Sequence, residues 1–217
     1  MDDHDKEELP VHTNSPALLY MGHASVRITT AEGKVIYVDP YSGDAYDLPA
    51  DLILVTHAHA DHSQVDKVAR RNPGCRIITQ DEALAGGVHQ TFDLGYVTVE
   101  AVEAGYNRNH DAGCCVGYIL TFASNGRTVY LSGDTSKTPQ MAKLAERKLD
   151  YAFFCCDGRY NMDLAEAAEC AKLVRARHNI PYHMVFDTPD NFDRSIAERF
   201  EAENRIIVAP GETLHIE

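Results

Sequence analysis

Four side chains able to hold a metal ion fall within six residues of Thr56-His57-Ala58-His59-Ala60-Asp61-His62. His57 and His59 are two apart, so along an extended backbone they project to the same side and can share one ion. Asp61 and His62 follow after the chain has turned and can face a second ion. Imidazole with carboxylate suits Zn²⁺, and also Fe or Mn. Two such ions about 3.5–4 Å apart hold a bridging hydroxide and polarise the bond that it attacks. A His-rich surface turn is the rival reading, but three His and an Asp in register directly behind a buried strand argue against it.

That strand is the apolar run Leu52-Ile53-Leu54-Val55, which reads as buried on both faces. A strand end is the usual place for a site in an α/β protein. One turn supplies too few ligands for two ions, so the remaining donors must stand at other strand ends. His110, after Tyr106-Asn107-Arg108-Asn109, is one candidate. Asp134 in Leu131-Ser132-Gly133-Asp134-Thr135 and His183 after Ile180-Pro181-Tyr182 are the others. Each taken alone reads equally well as a hydrogen-bonded residue; together they complete a set.

The remaining pattern predicts strands over 18–21, 25–30, 34–39 and 51–56, with Glu32-Gly33 as a hairpin turn. A helix is expected over 63–71, stopping before Asn72-Pro73-Gly74, then a strand over 76–79 and a short helix over 81–86. Segments 96–102, 116–123 and 127–132 read as a β-meander. Helices over 138–148, 163–178 and 191–202 then alternate with strands over 151–155, 182–186 and 205–208. Asp163 is a plausible cap, with Glu166 three residues on. Residues 1–16, with His4 and His12, read as a polar arm. Residues 17–217 read as one domain, two sheets sandwiched by helices.

The chain has 217 residues, 44% apolar and 24% charged, the composition of an ordinary globular domain with a sizeable core. Its net charge of -13 argues against a long nucleic-acid partner, though not against a small anion held by local Arg or Lys. No apolar run approaches a membrane span, and the start Met1-Asp2-Asp3-His4-Asp5 is acidic, so the expectation is a cytoplasmic protein. Cys114-Cys115 and Cys155-Cys156 are adjacent pairs without a disulfide-framework spacing and read as buried reduced thiols. A small-molecule substrate, with self-association left open, is the expected partner.

On these residues the chain resembles the metallo-β-lactamase superfamily, whose members carry His-x-His-x-Asp-His followed by a distant His, Asp and His. More narrowly it is similar to the branch of metal-dependent hydrolases that includes ascorbate-6-phosphate lactonase. The residues are Gly22-His23-Ala24-Ser25, Ala104-Gly105-Tyr106-Asn107, Gly133-Asp134-Thr135, Pro139-Gln140-Met141, Met162-Asp163, Glu166-Ala167-Ala168, Pro181-Tyr182-His183 and Pro210-Gly211-Glu212. The resemblance implies an αββα sandwich. It implies one metal on His57, His59 and His110, a second on Asp61, His62 and His183, and Asp134 bridging both. The chain departs from the branch at Cys155-Cys156-Asp157-Gly158-Arg159-Tyr160, where relatives have a Pro-Ile-Gly-Gly-like turn. It departs again at Met184-Val185-Phe186-Asp187, which replaces a Tyr-Gly pair. The relatives' substrate is therefore not carried over.

The expected function is hydrolysis of a small ester, lactone or phosphodiester, anionic ones included, by a metal-bridging hydroxide on two divalent ions. Zinc is expected, with manganese or iron as alternatives. Asp61 is a candidate proton acceptor. His23 is a candidate partner of a metal ligand or a packed turn residue. Arg108, Arg159 and Tyr160 are candidate substrate contacts, with Tyr106 and Tyr182 on the same logic; a solvated loop charge is the alternative for each arginine. An iron-dependent oxidoreductase and a non-catalytic metal-binding sensor are the rival functions. The first wants a Glu near Ala60 and a flavin partner domain, and neither is present.

Overall fold

A computed structural model of the chain describes residues 15–185, 188 and 190–217. Most of the expected arm, with His4 and His12, lies outside the described residues, as do Phe186 and Asp187.

Two six-stranded sheets form the body. The first has the order β12 (Thr213–His215), β1 (Ala17–Gly22), β2 (Ser25–Thr29), β3 (Val35–Val38), β4 (Ala50–Leu54) and β5 (Arg71–Ile78). The second has the order β11 (His178–Tyr182), β10 (Tyr151–Cys155), β9 (Thr128–Leu131), β8 (Val116–Phe122), β7 (Val97–Glu103) and β6 (Thr91–Asp93). In the first sheet β3, β4 and β5 run parallel, and in the second β9, β10 and β11 do. The meander β7–β8–β9 is antiparallel, and residues 123–127 between β8 and β9 are too few for a parallel crossover. β10 is flanked on both sides by parallel neighbours and is buried at every position, which is why it reads as an unbroken apolar run.

The inner faces meet in one core, where Leu18, Val26, Ile36 and Leu52 of the first sheet face Val99, Tyr118, Leu120 and Phe153 of the second. α3 (Leu164–Val174) and α2 (Met141–Leu144) cover the second sheet. The outer face of the first is sealed by Tyr46, Val68 and their neighbours in a smaller cluster. This is the expected αββα sandwich, with its layer over the first sheet carried largely by loop and a single 3-10 turn, Val65–Lys67. No helix among the described residues is long and apolar enough to cross a membrane.

Several elements differ from the sequence reading. The helix expected over 63–71 is only that 3-10 turn, because the Ser63 hydroxyl is engaged by the His59 carbonyl and Arg71 already pairs with Ala50. Asn72-Pro73-Gly74 does not stop a helix; it forms an irregularity inside β5, an edge strand where a proline costs no ladder bond. The helix expected over 138–148 is reduced to α2 and the turn Ala145–Arg147, and that over 81–86 to α1 (Gln80–Ala83) and a further turn. α3 is capped by Asp163, whose side chain accepts from the Glu166 amide, but it stops at Val174, where Arg175 turns left-handed. His178 therefore starts β11, four residues ahead of the expected strand over 182–186. The helix over 191–202 is only α4 (Arg194–Ala197), and 205–208 contributes one isolated bridge. The edge strands β6 and β12 were not expected: with exposed, three-residue patterns they carry no usable periodicity.

The consequence for function is positional. The carboxyl ends of the parallel strands carry, in order, Asp39 after β3, the His57 turn after β4, Asp134 after β9, Asp157 after β10 and His183 after β11.

Candidate metal centre

Each functional side chain is aimed by a specific local device. Asp39 leaves β3 in the left-handed region (φ 45°) and is almost fully buried. Its Oδ1 accepts from the Thr56 amide at 2.8 Å, and its Oδ2 accepts from the Thr56 hydroxyl at 2.6 Å and from His62 Nδ1 at 2.8 Å. The Thr56 hydroxyl, having donated to Asp39, accepts from His57 Nδ1 at 3.1 Å. One carboxylate thereby fixes two rings with their Nε2 atoms turned inward, as a hydrogen bond on the far ring nitrogen usually does for metal-binding histidines. The turn itself closes where the His59 carbonyl accepts from the amides of His62 and Ser63, at 3.0 and 3.1 Å.

His110 is delivered by an Asn turn: Asn107 Oδ1 accepts from the amides of Asn109 and His110, both at 2.9 Å, and lies 3.3 Å from His110 Nδ1. Gly105 (φ 88°) permits this loop, since a Cβ there would stand 2.8 Å from the His110 carbonyl. His183 leaves β11 with φ 47°, its amide donating to the Tyr20 hydroxyl. His23 sits at a left-handed position (φ 52°) in the Gly22-His23 turn, its carbonyl held by the same Tyr20 hydroxyl.

These devices bring six of the seven expected ligands into adjoining groups, with Asp61 beside them. His57, His59 and His110 each offer a donor within 4.8 Å of the others, as do His57, His62 and Asp134. Asp134 lies between two groups: its Oδ1 is 3.4 Å from His62 Nε2 and 3.3 Å from His183 Nε2, and its Oδ2 is 3.4 Å from His110 Nε2. The third group is His23, His62 and His183, so His23 stands where Asp61 was expected. Asp61 lies beside it, Oδ2 to His23 Nε2 at 3.3 Å.

The donor set fits divalent ions. His57 Nε2, His62 Nε2 and Asp134 Oδ1 are buried and have no hydrogen-bond partner among the described residues, a costly state for polar atoms unless something is coordinated there. Burial drives the His57 pKa far down, and that of His110 down as well, so both rings are neutral and ready to coordinate. Burial works against the charged forms of His62 and Asp134 too, but their mutual attraction, with Asp39 on His62, overrides it: His62 is pushed up and Asp134 well down. His183 is likewise raised, Asp134 outweighing burial. The buried carboxylate is what raises His62 and His183, and a divalent cation held here would compete with protons for the same imidazole nitrogens. Burial lowers the His23 pKa to about 4, while the His23 hydrogen bond holds Asp61 below the ordinary carboxylate range.

A cavity of about 520 Å³ opens over the centre, lined by His59, Asp61, Asn109, His110, Asp134, Tyr160 and His183. Of the candidate substrate contacts, Tyr160 lines it. Arg159 lies 5.2 Å over the Tyr160 ring and lines a separate hollow with Asp163 and Met184. Arg108 is exposed and lines neither. Tyr106 is exposed, and Tyr182 is buried behind the site, its hydroxyl accepting from the Gly133 amide. Asn109, Asp39, Thr56 and Asn161 were missed by sequence reasoning. Asp39 had one usable signal, an acidic residue ending the apolar strand next to β4. All six cysteines are free; Cys115, Cys155, Cys156 and Cys170 are buried, whereas Cys114 is exposed and Cys75 half-buried, against the expectation for the first pair.

Fold and centre together define a class. Residues 17–183 match the family described as the beta-lactamase superfamily domain, and the chain belongs to the metallo-β-lactamase superfamily. Within it, a UPF0173 metal-dependent hydrolase from Thermococcus kodakarensis is 30% identical over 228 residues, spanning 91% of this chain and 98% of the relative. Another from Myxococcus xanthus is 28% identical over 227 residues, 89% of this chain and 81% of that one. The crystal structure of a putative metal-dependent hydrolase from Parabacteroides distasonis superposes with a TM-score of 0.72 at 27% identity, covering 88% of this chain and 90% of that chain.

Proposed function

We propose that this chain is a dinuclear metal-dependent hydrolase of a small ester, lactone or phosphodiester. One observation carries the reading: the two oxygens of a single buried carboxylate, Asp134, face different imidazole groups, His110 on one side and His62 with His183 on the other. His57, His59 and His110 would hold one ion, and His62 and His183, with Asp61 or His23, the other. Two divalent ions, zinc or alternatively manganese or iron, supply an acidified water and polarise the bond under attack.

The protein's own groups supply the rest. Asp39 and Thr56 take the Nδ1 side of the His62 and His57 rings, so that Nε2 faces the centre. Asp61 faces the cavity beside His23 Nε2 as an ionised carboxylate, a weak base that could hold a proton only briefly. Tyr160 and Asn109 form the wall against which a substrate would lie. The cavity's size and the net charge of -13 favour a small molecule over a long nucleic acid. The free cysteines favour a reducing, cytoplasmic setting.

Metal analysis of the purified protein, run beside a lactone, phosphodiester and thioester panel, tests the reading. Wild type should carry close to two equivalents, and His57→Ala and Asp134→Ala should lose most of them; Asp157→Ala, which removes no expected ligand and acts on Asp134 only through Asn161, should weaken binding but lose far fewer equivalents. A wild type without metal, unchanged by His57→Ala, overturns the metallohydrolase. Equal mild losses for Asp134→Ala and Asp157→Ala overturn the bridge. Iron with oxygen consumption would move the reading to the oxidoreductase.

A further inference from the structure

The loop 156–161 sits where the chain departs from the branch that it resembles, and its contacts run toward the metal centre. Asp157 Oδ1 accepts from the amides of Arg159 and Tyr160, both at 2.7 Å, and of Asn161 at 3.2 Å, which sets the loop's shape. The Asp157 side chain is fully buried, and its Oδ2 lies 3.8 Å from His183 Nδ1. That oxygen accepts from Asn161 Nδ2 at 2.6 Å. The same Asn161 Nδ2 donates to Asp134 Oδ2 at 2.8 Å. The Tyr160 carbonyl accepts from Asn109 Nδ2 at 3.1 Å, next in sequence to His110. One short loop therefore touches Asp134, His183 and the His110 turn.

We infer that Asn161, locked by Asp157, is a positioning residue that fixes the rotation of the Asp134 carboxylate so that each oxygen faces its own metal. The inference rests on the two-metal reading above. A primary amide nitrogen has two hydrogens, and here both are committed, one to each carboxylate. The amide's orientation is thus decided, and its Oδ1 is left buried with no hydrogen-bond partner among the described residues. Such an arrangement would be wasteful if Asn161 served only to close the loop, because the Asp157 contacts to three backbone amides already do so. Neutrality matters as much as geometry. A Lys or Arg in this position would hold Asp134 equally well but would repel the cations that Asp134 is to bridge. An amide orients the carboxylate and leaves its full charge for the metals.

The test uses the full chain, metal-loaded and metal-free, with Zn²⁺ as the probe in competition against a chromophoric chelator. Asn161→Ala should weaken zinc retention about 10–100-fold, as loss of a ligand-orienting partner typically does, while the metal-free protein melts as wild type does. Asn161→Gln, which keeps the amide, should recover part of the loss. Asp157→Asn offers a second route should Asn161→Ala fold poorly. It keeps an oxygen for the three backbone amides but turns the acceptor facing Asn161 into a donor, so zinc retention should fall in the same direction. Wild-type zinc retention in Asn161→Ala overturns the inference. So does a metal-free melting loss as large as the metal-loaded one, which would mean a loop-building role alone. A wild type that binds neither zinc nor manganese nor iron overturns the two-metal reading itself, and that is seen before any variant is compared.

Discussion

Asp39 orients two rings of the centre, His62 directly and His57 through Thr56, although it is not expected to touch a metal. It takes a left-handed backbone conformation at the end of β3 so that its two oxygens reach Thr56 and His62 across the neighbouring strand. Asp39→Ala should free the His62 ring to flip and lower zinc affinity by about 10–100-fold, measured by chelator competition. Unchanged affinity would show that His62 is oriented by something else. The ligand types themselves were legible, since His and Asp at strand ends announce their chemistry. Asp39 and Asn161 were not: a buried carboxylate and an amide acquire these roles only through partners 23 and 27 residues away.

At the scale of elements, the strand-to-loop turns carry the site. Gly133 (φ 61°) lies between β9 and Asp134, and a Cβ there would stand 2.7 Å from the Val116 carbonyl. Gly133→Ala should cost more than about 1 kcal/mol and reduce metal content, because Asp134 is displaced with the turn. Gly126→Ala is the control: φ is 69° but nothing lies within 4 Å of its Cβ, so melting should fall slightly with metal content intact. The same metal loss in both would refute the positional argument. Buried strands such as β4 and β10 were readable because apolar residues run on without a break from Leu52 in β4 and through all of β10. The helices were overread. In 63–71 and 191–202 helical spacing is present, but side-chain caps and strand pairing claim the backbone first.

Across the whole molecule, the two sheets must hold a fixed separation for ligands from both to meet. Tyr118 in β8 is fully buried and donates its hydroxyl to the Val55 carbonyl at 2.9 Å, joining the second sheet to the first just before the His57 turn. Tyr118→Phe strands that carbonyl and should destabilise the metal-free protein by about 1–3 kcal/mol, read from urea denaturation. A change near zero would mean that core packing alone sets the spacing.

The sequence by itself singled out the candidate ligands, the buried strands that end in them, and with the resemblance the αββα class. Those follow from local facts: residue type, spacing and apolar periodicity. Tertiary structure decided which donors group together, placing His23 rather than Asp61 beside His62 and His183. It also left Arg108 and Arg159 outside the cavity's lining, placed Asn109 within it and set Asn161 against Asp134. The physical reason is that a strand end fixes where a side chain begins, whereas its direction is set by hydrogen bonds to residues distant in sequence, which no local pattern encodes.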